Sequence, residues 1–147
     1  MRFILIDRIL ELTPGNEIRA TKKFGAQDDF FQDHFPGFPV VPGVLLTEMM
    51  AQAAGKCLDA EKRPRGKAML AKITSASFRE WVLPEQEAII HATVRSNQEA
   101  YATSSCRVDV ESKAVCSAEL LFVFLPYEKL APGYVDEVLE SFLASRG

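Results

Sequence analysis

The stretch Asp33-His34-Phe35-Pro36-Gly37-Phe38-Pro39-Val40-Val41-Pro42-Gly43-Val44-Leu45-Leu46-Thr47-Glu48-Met49-Met50-Ala51-Gln52-Ala53-Ala54 joins a stiff loop to an apolar helix. Three prolines and two glycines within residues 36–43 fix an irregular backbone, because proline locks φ and glycine opens turns closed to other residues. From Val44 to about Leu58 the pattern becomes helical, introduced by Pro42-Gly43 and spanning about 22 Å at 1.5 Å per residue. Its residues are apolar nearly all round, which marks a helix enclosed by other structure.

The flanking chain supplies the enclosure. Pro14-Gly15-Asn16 signals a turn, and residues 17–24 alternate, with Ile18, Ala20 and Phe24 on one side and Glu17, Arg19, Thr21 and Lys23 on a wet side. Residues 67–78, 88–95, 101–110 and 114–125 read as further strands. In 101–110 the period of two is clearest: Ala102, Ser104, Cys106, Val108 and Val110 face one way, Tyr101, Thr103, Ser105, Arg107 and Asp109 the other. Residues 120–125 are apolar on both faces and belong in the middle of a sheet or at a subunit interface. The predicted architecture is α+β, a curved antiparallel sheet around one long central helix. A short amphipathic helix over 135–144 follows Pro132-Gly133.

Within the enclosed helix Glu48 is the only charged residue between Asp33 and Lys56. Burying a lone carboxylate is costly, so it must be protonated, hydrogen-bonded or beside a polar cleft; the alternative is a place at the solvent edge of the helix. Gln52, at i+4, shares its face and can orient it. His34 sits on the rigid loop and carries the one side chain whose charge ordinarily changes near neutral pH, although a loop histidine also serves as a structural hydrogen-bonding group. The first helical N–H groups, at Gly43 and Val44, lack intrahelical partners and could hold a carbonyl oxygen gaining negative charge; a glycine that merely permits the turn is the other reading. His91 falls on an outward strand face with Ile89, Thr93 and Arg95 and is a weaker candidate. The basic run Lys56, Lys62, Arg63, Arg65, Lys67 is either a steering patch for an acidic partner or a solvated loop.

Composition bounds the function classes. The 147 residues are 48% hydrophobic and 25% charged, with 17 Lys and Arg against 20 Asp and Glu. That is the balance of a globular protein, without the basic surplus that nucleic-acid binding ordinarily requires. Three cysteines, Cys57, Cys106 and Cys116, lack the short spacings of a zinc knuckle or a redox pair. The amino end is apolar for only four residues before charge returns, so neither a signal peptide nor a membrane span is expected, and the expected location is cytoplasmic.

Residues 29–55 resemble the signature of the FabZ-type 3-hydroxyacyl-[acyl-carrier-protein] dehydratases, a hotdog-fold family, and a weaker likeness runs from Leu5-Ile6-Asp7-Arg8 to about Leu125. The resemblance implies that His34 and Glu48 are catalytic, meeting across a dimer interface, with the Gly43 N–H on the thioester carbonyl and Val44 and Gln52 beside the substrate. It implies no cofactor and no metal. The implied partners are an acyl carrier protein and further copies, as a homodimer or trimer of dimers, with no nucleic acid and no membrane insertion. Glutamate at 48, where FabA-type dehydratase/isomerases carry aspartate, favours the plain dehydratase. Residues 1–126 would form the hotdog unit and 127–147 an extension of it. Departures lie at Asp33, where the family has glycine, and in Phe78-Arg79-Glu80-Trp81-Val82-Leu83-Pro84-Glu85-Gln86, where Trp81 replaces proline. They concern the acyl tunnel and carrier docking. The competing functions are a hotdog thioesterase and a silent carrier-binding subunit.

Overall fold

In the computed structural model, residues 2–146 are described; Met1 and Gly147, the outer ends of the two expected segments, lie outside them. Six strands, β1 (Arg8–Thr13), β2 (Glu17–Lys23), β3 (Lys67–Phe78), β4 (Glu87–Asn97), β5 (Ala102–Val110) and β6 (Lys113–Leu125), form one antiparallel sheet in the order β1-β2-β4-β5-β6-β3. Helix α1 (Gly43–Asp59) crosses the concave face and touches β2, β3, β4, β5 and β6, so the sheet curls around it. Its all-round apolar composition follows from that enclosure: Met49, Met50, Ala53, Ala54 and Cys57 are each fully buried.

The alternation in the strands sets which face is wet. Ala88, Ile90 and Ala92 of β4 point to α1 with Ala102, Ser104, Cys106 and Val108 of β5 and Cys116, Ala118, Leu120 and Phe122 of β6, all nearly sealed from solvent. Strand β6 lies between β5 and β3, an interior position that suits its two-sided apolar character. One face assignment is corrected: Thr21 is 3% exposed and not on a wet side. It stands between Arg8 and Ile89 across the sheet, and its carbonyl accepts the Asp7 N–H at 2.7 Å. Strand β1 has no counterpart in the sequence reading, because it is short, charged at Arg8 and Glu11, and irregular in register between Ile9 and Glu11.

The other edge of the sheet is unusual. Beyond Ala68, every residue of β3 is exposed, including Met69, Leu70, Ile73 and Phe78 at 38–49%. Natural edge strands are usually blunted by charge, proline or a cover, and this one carries a single charged side chain, Lys72, beyond its first residue.

The carboxyl end returns to the core through helix α2 (Glu137–Arg146), which rests on β1 and buries Leu139 to 2%. The helix starts two residues later than the sequence suggests, because Asp136 caps it: its Oδ1 accepts the Leu139 N–H at 3.1 Å, satisfying a donor that has no intrahelical partner. Among the described residues, no helix is long and apolar enough to cross a membrane.

Candidate active site

A 3-10 turn at Asp29–Gln32, anchored by buried Phe31, leads into the His34 loop. The His34 N–H donates to the Phe30 carbonyl at 3.0 Å, and the Val40 N–H returns to the His34 carbonyl at 3.0 Å. Between them Phe35 and Phe38 exchange two backbone hydrogen bonds at 3.0 and 2.9 Å across a turn whose Gly37 holds φ at +79°, a value that favours glycine. The peptide joining His34 to Phe35 is cis. The imidazole stacks on the Phe35 ring with centroids 4.1 Å apart and sets Nδ1 3.1 Å from the Val40 carbonyl oxygen. A carbonyl can only accept, so Nδ1 carries the proton. In the neutral ring Nε2 then keeps its lone pair and is the basic atom.

Glu48 lies partly exposed on α1 and lines a cavity of about 650 Å³. It is hydrogen-bonded and beside a polar cleft, two of the conditions that its apolar neighbourhood required. Gln52 holds it. The Gln52 Nε2 donates to Glu48 Oε2 at 3.1 Å and to the Phe3 carbonyl at 3.1 Å, while its Oε1 accepts the Leu5 N–H at 2.8 Å. With its amide fixed to the amino-terminal backbone, Gln52 can orient the carboxylate without moving.

Gly43 opens α1 after Pro42, and the N–H groups of Gly43 and Val44 have no hydrogen-bond partner among the described residues. A methyl group on Gly43 would stand 3.3 Å from the Phe78 ring, so the glycine keeps the helix start close to that aromatic face. The Val44 side chain is 77% exposed. Gly43, Phe78 and Trp81 border a separate cavity of about 110 Å³. Trp81 is 66% exposed, sits edge-on to Phe38 at 5.8 Å and does not reach the cavity of Glu48.

Within one chain, then, Glu48 and Gln52 come together, whereas no hydrogen bond joins His34 to either of them among the described residues. His34 is not among the residues that line the Glu48 cavity.

Other candidates have structural duties. Lys56 pairs with Asp136 at 2.8 Å, Arg63 with Glu99 at 2.8 Å, Arg65 with Glu61 at 3.2 Å, Lys67 with Asp59 at 2.7 Å, and Lys62 with Glu140. The basic run is therefore matched residue by residue with acids rather than left as a steering patch. Burial alone would lower the Lys67 pKa, but the charge and hydrogen bond of Asp59 outweigh it and raise it. His91 meets Asp109 at 3.1 Å on the outer face; burial and the nearby Arg107 push its pKa down against the pull of Asp109. Burial pushes the Cys57 and Cys116 thiols up to about 12 and Cys106 to about 11, far from nucleophilic. Among the described residues, no three His, Cys, Asp or Glu side chains converge to hold a metal ion.

Sequence reasoning missed one group. Tyr134, Val135, Asp136 and Val138 line the Glu48 cavity from far along the chain. Asp136 lies 80 residues from Lys56, so no local spacing announces their contact.

Residues 1–119 match the model of the FabA-like domain family. A 3-hydroxyacyl-[acyl-carrier-protein] dehydratase FabZ of Lactobacillus helveticus is 40% identical over 121 residues, 82% of each chain. Among solved structures, the dehydratase heterocomplex ApeI:P of Xenorhabdus doucetiae superposes with a TM-score of 0.62 at 16% identity, over 77% of this chain and 92% of that one. The Streptococcus mutans protein smu.793, solved bound to acetyl CoA, gives a TM-score of 0.66 at 9% identity over 86% and 94%. At such identities these structures speak for the fold alone, and that fold is the hotdog.

Proposed function

Since this chain belongs to the FabA-like family, we propose that His34 and Glu48 carry out its reaction from two different copies of the chain. The protein is a hydro-lyase that converts 3-hydroxyacyl-[acyl-carrier-protein] thioesters to trans-2-enoyl thioesters in fatty-acid synthesis or a related polyketide-like route. The observation that carries the assignment of the base is the 3.1 Å contact of His34 Nδ1 with the Val40 carbonyl, which leaves Nε2 free to accept a proton.

The proposed steps follow from the groups present. His34 Nε2 takes the proton from C2, and the electron pair moves toward the thioester carbonyl, whose oxygen gains charge. The unpartnered N–H groups of Gly43 and Val44, at the positive end of α1, stabilise that oxygen. The pair then forms the C2–C3 double bond as the C3–O bond breaks, and Glu48, held by Gln52, supplies a proton to the departing hydroxyl, directly or through a water. One water leaves, and proton return from the imidazolium to the carboxylate resets the site.

The second copy docks along the β3 edge, where Met69, Leu70, Ile73 and Phe78 stand exposed. Pairing there satisfies the open backbone groups of β3 and covers its apolar side chains, giving a homodimer that can assemble further into a trimer of dimers. Residues 1–126 act as one hotdog unit with 127–147 as its extension, working in the cytoplasm on a carrier-bound substrate.

The test is incubation of the purified protein with a 3-hydroxyacyl carrier thioester, followed by mass spectrometry. Loss of one water with the thioester intact is expected, and release of free acid would favour a thioesterase. If His34→Ala and Glu48→Gln both dehydrate as fast as the parent, the assigned roles are wrong.

A further inference from the structure

Two contacts orient the His34 ring. In its plane, Nδ1 donates to the Val40 carbonyl at 3.1 Å; on its face, the Phe35 ring stacks with centroids 4.1 Å apart and planes at 27°. One in-plane hydrogen bond still lets an imidazole rock about the line from donor to acceptor, which would swing Nε2 out of line. The stacked face opposes that rocking, so the direction of the basic atom depends on where Phe35 is held.

The two supports are anchored very differently. Val40 and Val41 are buried, and the Val41 N–H donates to the carbonyl of Val82, itself buried, at 2.8 Å. Phe35 rides instead on a turn whose residues 35–38 are all exposed, with nothing within 4 Å of the position a Cβ would take on Gly37. The ring that meets this turn from another part of the chain is Trp81, edge-on to Phe38 at 5.8 Å and 89°, the T-shaped arrangement that aromatic pairs favour. The dipeptide Trp81-Val82 thus serves both supports of the imidazole, Val82 under the Val40–Val41 backbone and Trp81 beside the Phe35–Phe38 turn. With 66% of its surface exposed, the indole has little part in the core.

Resting on the reading of His34 as the base, we propose that Trp81 is a positioning residue for it, acting through Phe38 and Phe35. Its edge on Phe38 holds the 35–38 turn, and with it the Phe35 ring, against the imidazole, so that Nε2 keeps one direction. Trp81 therefore acts on proton removal and not on substrate binding, because misplacing a reacting atom slows chemistry without weakening contacts elsewhere on the substrate.

The test compares the parent with Trp81→Ala, Trp81→Phe, Phe38→Ala and the double variant Trp81→Ala/Phe38→Ala. Both rings are largely exposed, so these changes leave the core intact. The single-turnover rate on a 3-hydroxyacyl carrier thioester reports the chemical step, and KM is read alongside. Trp81→Ala lowers the rate about twofold to tenfold, the equilibrium worth of one aromatic pair, with KM nearly unchanged. Trp81→Phe, which keeps an aromatic edge, restores most of it, and the double variant is no slower than the slower single one. Proton NMR supplies an independent reading, since the chain has only two histidines, assigned with His34→Ala. Loss of the Phe35 face moves the His34 ring protons downfield while those of His91 stay in place. A loss of rate below about twofold in Trp81→Ala, or unmoved His34 signals, overturns the proposal. So does a rise in KM at constant rate, which makes Trp81 a substrate contact, or a fall in sedimenting mass, which makes it an interface residue; all of these leave His34 as the base. A parent that does not dehydrate, or that is matched by His34→Ala, overturns that reading and this one with it.

Discussion

Removing the carboxylate of Asp136 while leaving Lys56 in place strands an ammonium group whose side chain is 10% exposed. Breaking a buried pair from one side costs about 3–5 kcal/mol, and the long lysine stem can swing its head toward the cavity, which puts the cost near the lower bound. Asp136→Ala also loses the α2 cap, worth about 1 kcal/mol, for a total near 4 kcal/mol. Asp136→Asn keeps the cap and should cost about 3 kcal/mol, whereas Lys56→Met leaves a carboxylate that still accepts the Leu139 N–H at the start of α2 and feels the Lys67 charge, and should cost about 1–2 kcal/mol. The double variant Lys56→Met/Asp136→Asn should recover about 2 kcal/mol of the summed loss. Urea unfolding at one fixed protein concentration reads these values. At a slope of roughly 2 kcal/mol/M, Asp136→Ala lowers the midpoint by about 2 M. Single-variant losses below about 0.5 kcal/mol, strictly additive in the double variant, would refute the claim that this pair fastens the tail.

The three cysteines should resist Ellman's reagent at pH 8 in the folded protein and react fully in denaturant; fast labelling of the native state would contradict their burial. Their raised pKa values have a linked consequence for stability. Unfolded thiols ionise near pH 9 while the folded ones wait until about 11 or 12, so the unfolded state holds fewer protons and stability falls as pH rises past about 9. Gly66→Ala should destabilise by about 2 kcal/mol or more, since φ is +112° there and a methyl group would collide with the Leu125 backbone carbonyl; an unchanged melting temperature would contradict that geometry. Ile73→Asp on the exposed β3 edge should halve the sedimenting mass with little loss of secondary structure by circular dichroism, and an unshifted mass would move the docking surface elsewhere.

The central helix and its loop were readable because their signals are local: proline and glycine fix 36–43, and an uninterrupted apolar run can only be enclosed. The strand ranges at 101–110 and 114–125 were plain from alternation or apolar content, and these and 67–78 each fall within one residue of the observed strand. Strand β1 was hidden because its hydrogen-bonding partner, not its composition, makes it a strand. Thr21 misled for a related reason, since its carbonyl is met by the Asp7 N–H from a distant part of the chain, a contact that alternation does not announce. The pairing of Glu48 with Gln52 followed from i+4 spacing, whereas the fate of the basic run depended on acids brought in by folding from Asp59, Glu61, Glu99, Asp136 and Glu140. The place of the tail beside the Glu48 cavity rests on a contact across 80 residues, for which a single sequence holds no signal.

The proposed reaction depends most on His34 and Glu48 acting from different copies. Mixing His34→Ala and Glu48→Gln chains, each inactive alone, by unfolding and refolding together tests that directly. Every mixed pair then contains one site with both native groups, and random pairing of equal amounts should restore about a quarter of the parent's dehydration rate. A mixture that remains as inactive as its components would show that both groups must come from the same chain.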